Sequence, residues 1–151
     1  EPIIDNDEKV VPGLDGRKMS KSYNNVIPLL GSDKKLKKSI MKIVTNSLEP
    51  GEPKDFNDCT VFELYKYFAN ADEINEFKTA YEEGISWGDA KDKLFNIINA
   101  ELLPIRSKYE ELINDQDYLN DVLGEGAKKA RTLAQEKIEK VKEVIGLTKI
   151  S

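Results

Sequence analysis

The stretch SWGDAKDKLFNIINAELLPIRSKYEELI, residues 86–113, decides the fold class. Its apolar side chains return every three or four positions, which is the spacing of one face of an α-helix. These positions are Trp87, Leu94, Ile97, Ile98, Leu102, Ile105, Tyr109, Leu112 and Ile113. Ser86 opens the pattern and Pro104 interrupts it without ending it, so the sequence predicts one long helix with a kink at the proline.

The composition agrees with a helical chain. Of the 151 residues, 34% are charged and 39% are hydrophobic, which suits long amphipathic helices with solvated outer faces. A chain of this length can bury a real hydrophobic core. We therefore predict an all-α fold, a bundle of five or six helices preceded by an irregular loop.

Local signals place the shorter helices. Ser32 is a predicted N-cap for a helix that continues to about Val44. Thr60 followed by Glu63 forms a capping-box pattern ahead of a short aromatic-rich helix.

The second half of the chain has further signals of this kind. Asp72 is a predicted cap for a helix that ends near Gly84. A short helix or turn is predicted around residues 118–123, then a last helix that Gly146 ends. The apolar stripe of this last helix is Ala127, Ala130, Ala134, Ile138, Val141 and Ile145.

The net charge of −5 conceals an uneven distribution. Residues 1–44 carry a net +3, residues 45–123 a net −11, and residues 124–151 a net +3. A polyanionic partner should therefore meet the two ends of the chain, unless these charges are only the solvated faces of helices.

Cysteine usage and hydropathy bear on the compartment. Cys59 is the only cysteine, so an intrachain disulfide is impossible and a reducing compartment is favoured. The start EPIIDNDEKV lacks the basic and apolar regions of a signal peptide, and no apolar run approaches the ~18 residues of a membrane span. We expect a cytoplasmic protein.

The stretch VVPGLDGRKMSKSYNN, residues 10–25, carries the chemistry. Pro12, Gly13 and Gly16 predict a turn, and Lys18 and Lys21 put two ammonium groups three residues apart on the loop after it. Small serines between such charges allow backbone N–H groups to approach phosphate oxygens. An inconsequential basic loop would also explain two lysines at this spacing, but the full pentapeptide arises by chance in fewer than roughly one chain in a thousand of this size.

The pentapeptide KMSKS resembles the second signature of class I aminoacyl-tRNA synthetases. The flanks PGLDGRKMSKSYNN, ELLPIRSKYEEL and LGEGAKKAR are similar to the bacterial tryptophanyl branch of that family, over nearly the whole chain. The sibling tyrosyl branch shares the loop signature and is the alternative. A non-catalytic helical RNA-binding module and a protein-interaction bundle are the other readings of the same helices.

The resemblance implies a ligase that joins tryptophan to ATP with Mg²⁺ and then transfers it to tRNA. Lys18 and Lys21 would be the catalytic residues, neutralising charge on the phosphates, with Lys21 the more important. Met19, Ser20 and Ser22 would complete the nucleotide-binding loop, without a metal site in the protein itself. The full-length enzyme is expected to be a homodimer.

The resemblance also implies that a part of the enzyme lies outside this chain. The family's other signature, near HIGH in sequence, needs histidine, and the chain has none. The alternating strands and helices of a Rossmann domain are also missing from the pattern. We expect a C-terminal portion that is inactive alone: residues 1–31 as the catalytic-domain edge with the loop, 32–123 as the anticodon-binding domain, and 124–151 as a helix that packs back toward the catalytic domain. The tryptophan pocket would then lie outside this chain.

Cations at the two basic ends are candidates for tRNA phosphate contacts. They are Lys34, Lys35, Lys37, Lys38 and Lys42 in one group and Lys128, Lys129 and Arg131 in the other. Arg106 and Lys108 interrupt the acidic middle and are candidates for a base or phosphate nearer the anticodon. Stacking platforms for bases are conceivable among the aromatic residues, although helical spacing favours the core for Tyr65, Tyr67, Phe68, Tyr81 and Trp87.

Overall fold

A computed structural model describes residues 10–147, and these residues confirm the all-α prediction. Five α-helices follow one another, and no strand forms within the described range. They are α1 (Asp33–Ile40), α2 (Thr60–Lys66), α3 (Ala71–Glu82), α4 (Trp87–Asn114) and α5 (Gln116–Val144). A short 3₁₀ turn, Lys21–Tyr23, precedes them.

The chain divides into two compact units, Glu1–Ser107 and Lys108–Ser151. The first unit holds a hydrophobic core in which α1, α2, α3 and the first part of α4 take part. Its centre is aromatic, because the Phe77 ring packs edge-on to Tyr81 with centroids 4.9 Å apart and lies 5.7 Å from the Phe62 ring. Burial of these large side chains is the main stabilising term of the unit.

The start of α1 is as predicted, but its end is not. Ser32 caps the helix, since its Oγ accepts the Lys35 N–H at 3.4 Å, while the helix ends at Ile40 and not near Val44. Ile43 still enters the core through the turn that follows, whereas Val44 is 74% exposed. Apolar spacing therefore identified the buried side chains better than it identified the helix end.

Two predicted caps were wrong. Cys59, not Thr60, is the residue before α2, and no side chain caps that helix. The capping box lies on α3 instead, where the Asn70 side chain accepts the Asp72 and Glu73 N–H groups. In return, the Glu73 carboxylate accepts the Asn70 N–H. Asp72 is thus the second residue of α3, where the positive end of the helix dipole stabilises an acidic side chain.

The long helix predicted from residues 86–113 is present as α4, and Pro104 lies inside it without ending it. Its buried residues recur every fourth position along one face in the first unit. They are Ala90, Leu94, Ile98, Leu102 and Arg106. The Ser86 Oγ accepts the Asp89 N–H at 3.0 Å and so satisfies an otherwise unpaired donor at the start of α4.

The predicted break near residues 123–126 was wrong, because α5 runs from Gln116 to Val144 as one helix. Gly124 and Gly126 do not take positive φ, so they remain part of the helix. Gly146 ends the helix as predicted: its φ is 75°, and the Leu147 N–H reaches back to the Lys142 carbonyl at 2.8 Å. No helix in the part of the chain that the structure describes is long and apolar enough to cross a membrane.

Candidate phosphate-binding loop and basic surface

Backbone hydrogen bonds fold residues 11–19 into a tight hairpin. The Met19 N–H donates to the Val11 carbonyl at 2.9 Å, and Pro12 and Lys18 form an isolated antiparallel bridge. The turn closes where the Gly16 N–H donates to the Gly13 carbonyl at 3.0 Å. Gly16 has φ +78°, a conformation that glycine adopts without steric cost.

The buried residue Asn25 stabilises this hairpin through hydrogen bonds of its side chain. The residue is 3% exposed, and its Oδ1 accepts the Ser20 N–H at 2.8 Å. Its Nδ2 donates to Asp15 Oδ1 at 2.7 Å and to the Lys18 carbonyl at 3.1 Å. A Cβ at Gly13 would lie only 2.2 Å from the same Nδ2, so only glycine fits there.

Asp15 and Arg17 form an ion pair on the exposed side of the loop. Asp15 Oδ2 accepts two hydrogen bonds from the Arg17 guanidinium, at 2.9 and 2.7 Å. The guanidinium also lies 4.6 Å from the centre of the Tyr23 ring. The hydrogen bond from Asn25, followed by those from Arg17, lowers the pKa of Asp15 from 3.8 to about 2.

The two serines of the pentapeptide organise its second half. Ser20 precedes the 3₁₀ turn, and its Oγ accepts the Ser22 N–H at 3.3 Å and lies 2.8 Å from Ser22 Oγ. Asn24 closes the turn in the left-handed region at φ 53°, which asparagine tolerates better than most residues.

Lys18 and Lys21 are exposed, and neither forms an ion pair with another residue of the described range 10–147. Met19, between them, is half-buried against the core of the first unit. The loop is therefore anchored through Met19 and Asn25, while both ammonium groups point to solvent. An ordered backbone that presents two unpaired ammonium groups is suited to binding a phosphorylated ligand.

A second basic feature is the α1 basic surface, defined by Lys34, Lys35, Lys37, Lys38 and Lys42, which are all exposed. Lys37 forms an ion pair with Asp92 at 2.8 Å. The other four make no ion pair with the rest of residues 10–147, and so are the more available for phosphates. In the other group, Lys128 pairs with Glu125 at 2.7 Å, whereas Lys129 and Arg131 are exposed.

Arg106 does not lie on the surface, contrary to the prediction that it contacts RNA. Its side chain is 7% exposed and forms an ion pair with Asp33, the first residue of α1. A second hydrogen bond runs from its Nη2 to Asn99 Oδ1 at 2.8 Å. Arg106 therefore joins α4 to α1, and Lys108, exposed and paired with Glu111, is the only one of the two candidates that solvent reaches.

The aromatic candidates divide in the same way. Tyr65 and Tyr81 are core residues, as predicted, whereas Tyr67 and Phe68 at the end of α2 are 39% and 36% exposed. Trp87 is half-buried and donates its indole N–H to Asn46 Oδ1 at 3.0 Å. Within residues 10–147 no group of three or more metal-ligating side chains converges.

The sequence reasoning missed Asn25 and the burial of Arg106. The doublet Asn24–Asn25 directly after KMSKS was a usable signal, because asparagine accepts left-handed backbone and its amide can both donate and accept. For Arg106, the four-residue spacing from Leu102, Ile98 and Leu94 placed it on the buried face of α4.

Residues 3–103 match the family model for tRNA synthetases class I (W and Y). This match spans about two thirds of the chain and includes the whole loop, so the chain belongs to the class I tRNA synthetases of the tryptophan and tyrosine type.

The similar curated proteins are called tryptophan–tRNA ligase. That of Fusobacterium nucleatum is 48% identical over 148 residues, and that of Neisseria meningitidis is 46% identical over 147; each alignment covers 97% of this chain. A crystal structure of tryptophanyl-tRNA synthetase from Campylobacter jejuni, complexed with ADP and tryptophan, superposes with a TM-score of 0.86 at 41% identity over 94% of this chain. The chain spans 44–45% of the length of these relatives.

Proposed function

We propose that this chain is the part of a tryptophan–tRNA ligase that supplies the ATP-phosphate loop and a tRNA-binding helical surface. The activity of the whole protein would be to join tryptophan to ATP with release of pyrophosphate, and then to transfer tryptophan to its tRNA. The observation that carries the proposal is the ordered loop with Lys18 and Lys21 exposed and unpaired within residues 10–147, in a chain 46% identical to a tryptophan–tRNA ligase.

The chemistry of the first step explains the lysines. Negative charge shifts toward the departing pyrophosphate as tryptophan attacks the α-phosphate, and fixed cations at that place stabilise the transition state more than the ground state. Lys21, at the start of the 3₁₀ turn, and Lys18, on the hairpin, supply two such cations. ATP would enter as the complex with Mg²⁺, in which the metal shares the same phosphates.

Tryptophan-dependent exchange of pyrophosphate into ATP tests this proposal in the longer protein that contains this chain. We expect Lys21→Ala to lower the exchange rate about 10²–10³-fold, the usual loss when one preorganised electrostatic donor is removed. Lys137→Ala, an exposed lysine of α5, is the matched control and should leave the rate unchanged. An unchanged rate in Lys21→Ala would contradict the proposal, and exchange driven by tyrosine in place of tryptophan would assign the tyrosyl branch.

The chain alone should not catalyse exchange, because it has no histidine for the family's other signature. The proposal assigns residues 1–31 to the catalytic domain and 32–123 to the anticodon-binding domain. The helix from 124 onward would pack against the catalytic part of the longer protein, which would cover its apolar side chains Leu133, Ile138 and Val141, now 47–71% exposed. We also propose a homodimer that works in the cytoplasm, and light scattering on the longer protein would test the dimer.

A further inference from the structure

We propose that Asn25 is the positioning residue of the loop, which sets where Lys18 and Lys21 present their charges. The inference rests on the proposed function, because it concerns the same ATP phosphates. Asn25 itself is 3% exposed and touches no phosphate, so it would act only through the backbone that carries the two lysines.

Asn25 contacts both halves of the loop at once. Its Oδ1 holds the Ser20 N–H, one residue before Lys21, and its Nδ2 holds the carbonyl of Lys18 itself. Its own carbonyl accepts the N–H of Leu14, in the hairpin turn, at 2.9 Å. Asn25 thus fixes the backbone next to each of the two lysines, and in this way it sets the distance between their Cα atoms.

No other side chain replaces this set of bonds. Aspartate at position 25 would keep the acceptor for Ser20 but lose both donors, and would bring a carboxylate within hydrogen-bond distance of Asp15. Alanine would leave the Ser20 N–H and the Lys18 carbonyl without a partner in a partly buried place. Gly13 packs so closely against Asn25 that an added Cβ at position 13 would lie 2.2 Å from Asn25 Nδ2, which leaves no room for a longer glutamine at position 25.

The lysines have no other constraint that would hold them in place. Both are exposed and without an ion pair among residues 10–147, so the direction of each side chain depends on the backbone beneath it. Misplacement of a catalytic group by about 1 Å typically costs up to 10²-fold in rate. A loss of this size is therefore expected when Asn25 is removed.

A double-mutant cycle in tryptophan-dependent pyrophosphate exchange tests the inference in the longer protein. We expect Asn25→Ala to lower kcat/KM for ATP about 10–100-fold, mostly in kcat, since the cations are needed most in the transition state. In a background in which both Lys18 and Lys21 are alanine, Asn25→Ala should lower it by less than about threefold, because the cations that Asn25 positions are already absent. Asn96→Ala, an exposed asparagine of α4, is the control for a general effect of the substitution.

The outcomes separate the inference from the proposed function. An unchanged rate in Lys21→Ala would overturn the proposed function. A loss in Lys21→Ala with none in Asn25→Ala, or equal losses for Asn25→Ala in both backgrounds, would overturn only the positioning role. Amide hydrogen exchange provides the second measurement, since faster exchange at Ser20 and Leu14 in Asn25→Ala, with the helix amides unaffected, is expected if the residue orders the loop and not the fold.

Discussion

At the scale of single residues, the loop depends on a few polar side chains whose charge state matters. Asp15 accepts one hydrogen bond from Asn25 and three from Arg17, two from the guanidinium and one from the backbone N–H, and all four favour its ionised form. Because the Asp15 carboxylate in the hairpin turn is bonded to both Arg17 and Asn25, its protonation weakens the bonds that order the loop. The order of the loop should therefore depend on pH in the acid range.

The sign of this dependence follows from the lowered pKa. The pKa of Asp15 falls from 3.8 to about 2, so its contribution is complete above pH 4, declines as the pH falls, and is lost below about pH 2. A ¹³C titration of the Asp15 carboxyl should give the low value, and the protection of the Ser20 amide, measured against its intrinsic exchange rate at each pH, should fall over the same interval. In Asn25→Ala the pKa should move back toward 3.8, and a titration identical to that of the unchanged chain would contradict the account.

Single residues also show which features a sequence can reveal. The caps at Ser32 and Gly146 were predictable because each is decided by neighbours three to five positions away. The bond from Asn25 to Asp15 spans 10 positions and that from Arg106 to Asp33 spans 73, so no local pattern contains either partner. KMSKS identified Lys18 and Lys21 as the exposed charges of the loop, while the bonds from Asn25 to the Ser20 N–H and the Lys18 carbonyl emerged only from the fold.

At the scale of elements, α5 shows why local signals overestimate breaks. The sequence LGEG predicted an interruption, yet a single glycine costs only about 1 kcal/mol in a helix relative to alanine. Favourable flanking turns outweigh that cost, and Asp115 starts the helix by accepting the Tyr118 N–H at 2.9 Å. The two glycines therefore weaken α5 without ending it.

The contact between α1 and α4 depends on one buried charge. Arg106 is 7% exposed on the side chain and its Nε has no partner, whereas Asp33 is 59% exposed. Removal of the carboxylate leaves a buried guanidinium without its counter-ion, but removal of the guanidinium leaves a carboxylate that water can solvate. The two partners are thus unequal in their importance for stability.

A double-mutant cycle on the free energy of unfolding tests this asymmetry, with Trp87 fluorescence as the probe of the first unit. Asp33→Asn should destabilise by about 1–3 kcal/mol while Arg106 is present. In Arg106→Met, which fills a similar volume without charge, the same change should cost less than about 0.5 kcal/mol. The exposed pair Lys108–Glu111 is the control, since Glu111→Gln should shift stability by less than about 0.5 kcal/mol. Equal costs of Asp33→Asn in both backgrounds would show that the ion pair does not join the helices.

At the scale of the whole molecule, charge and burial are segregated along the chain. Buried hydrophobic residues lie between Leu36 and Leu102, and among the described residues α5 contributes none. Positive charge concentrates at the two ends, next to an acidic middle with a net −11. Such a distribution directs a polyanion to the ends and away from the centre.

Under the proposed function, the affinity for tRNA should therefore depend on the α1 basic surface. Replacement of Lys34, Lys35, Lys38 and Lys42 by alanine should weaken binding and reduce the slope of log K against log [salt] by up to roughly 3.6, since each of the four lost phosphate contacts removes about 0.9. The matched control replaces Lys78 and Lys93, two lysines of the acidic middle, by alanine and should leave the slope unchanged. Filter binding at several salt concentrations measures both. An affinity and a slope that both stay constant in the α1 variant would place the tRNA elsewhere. Weaker binding at constant slope would mean that α1 acts by contacts other than phosphate pairing.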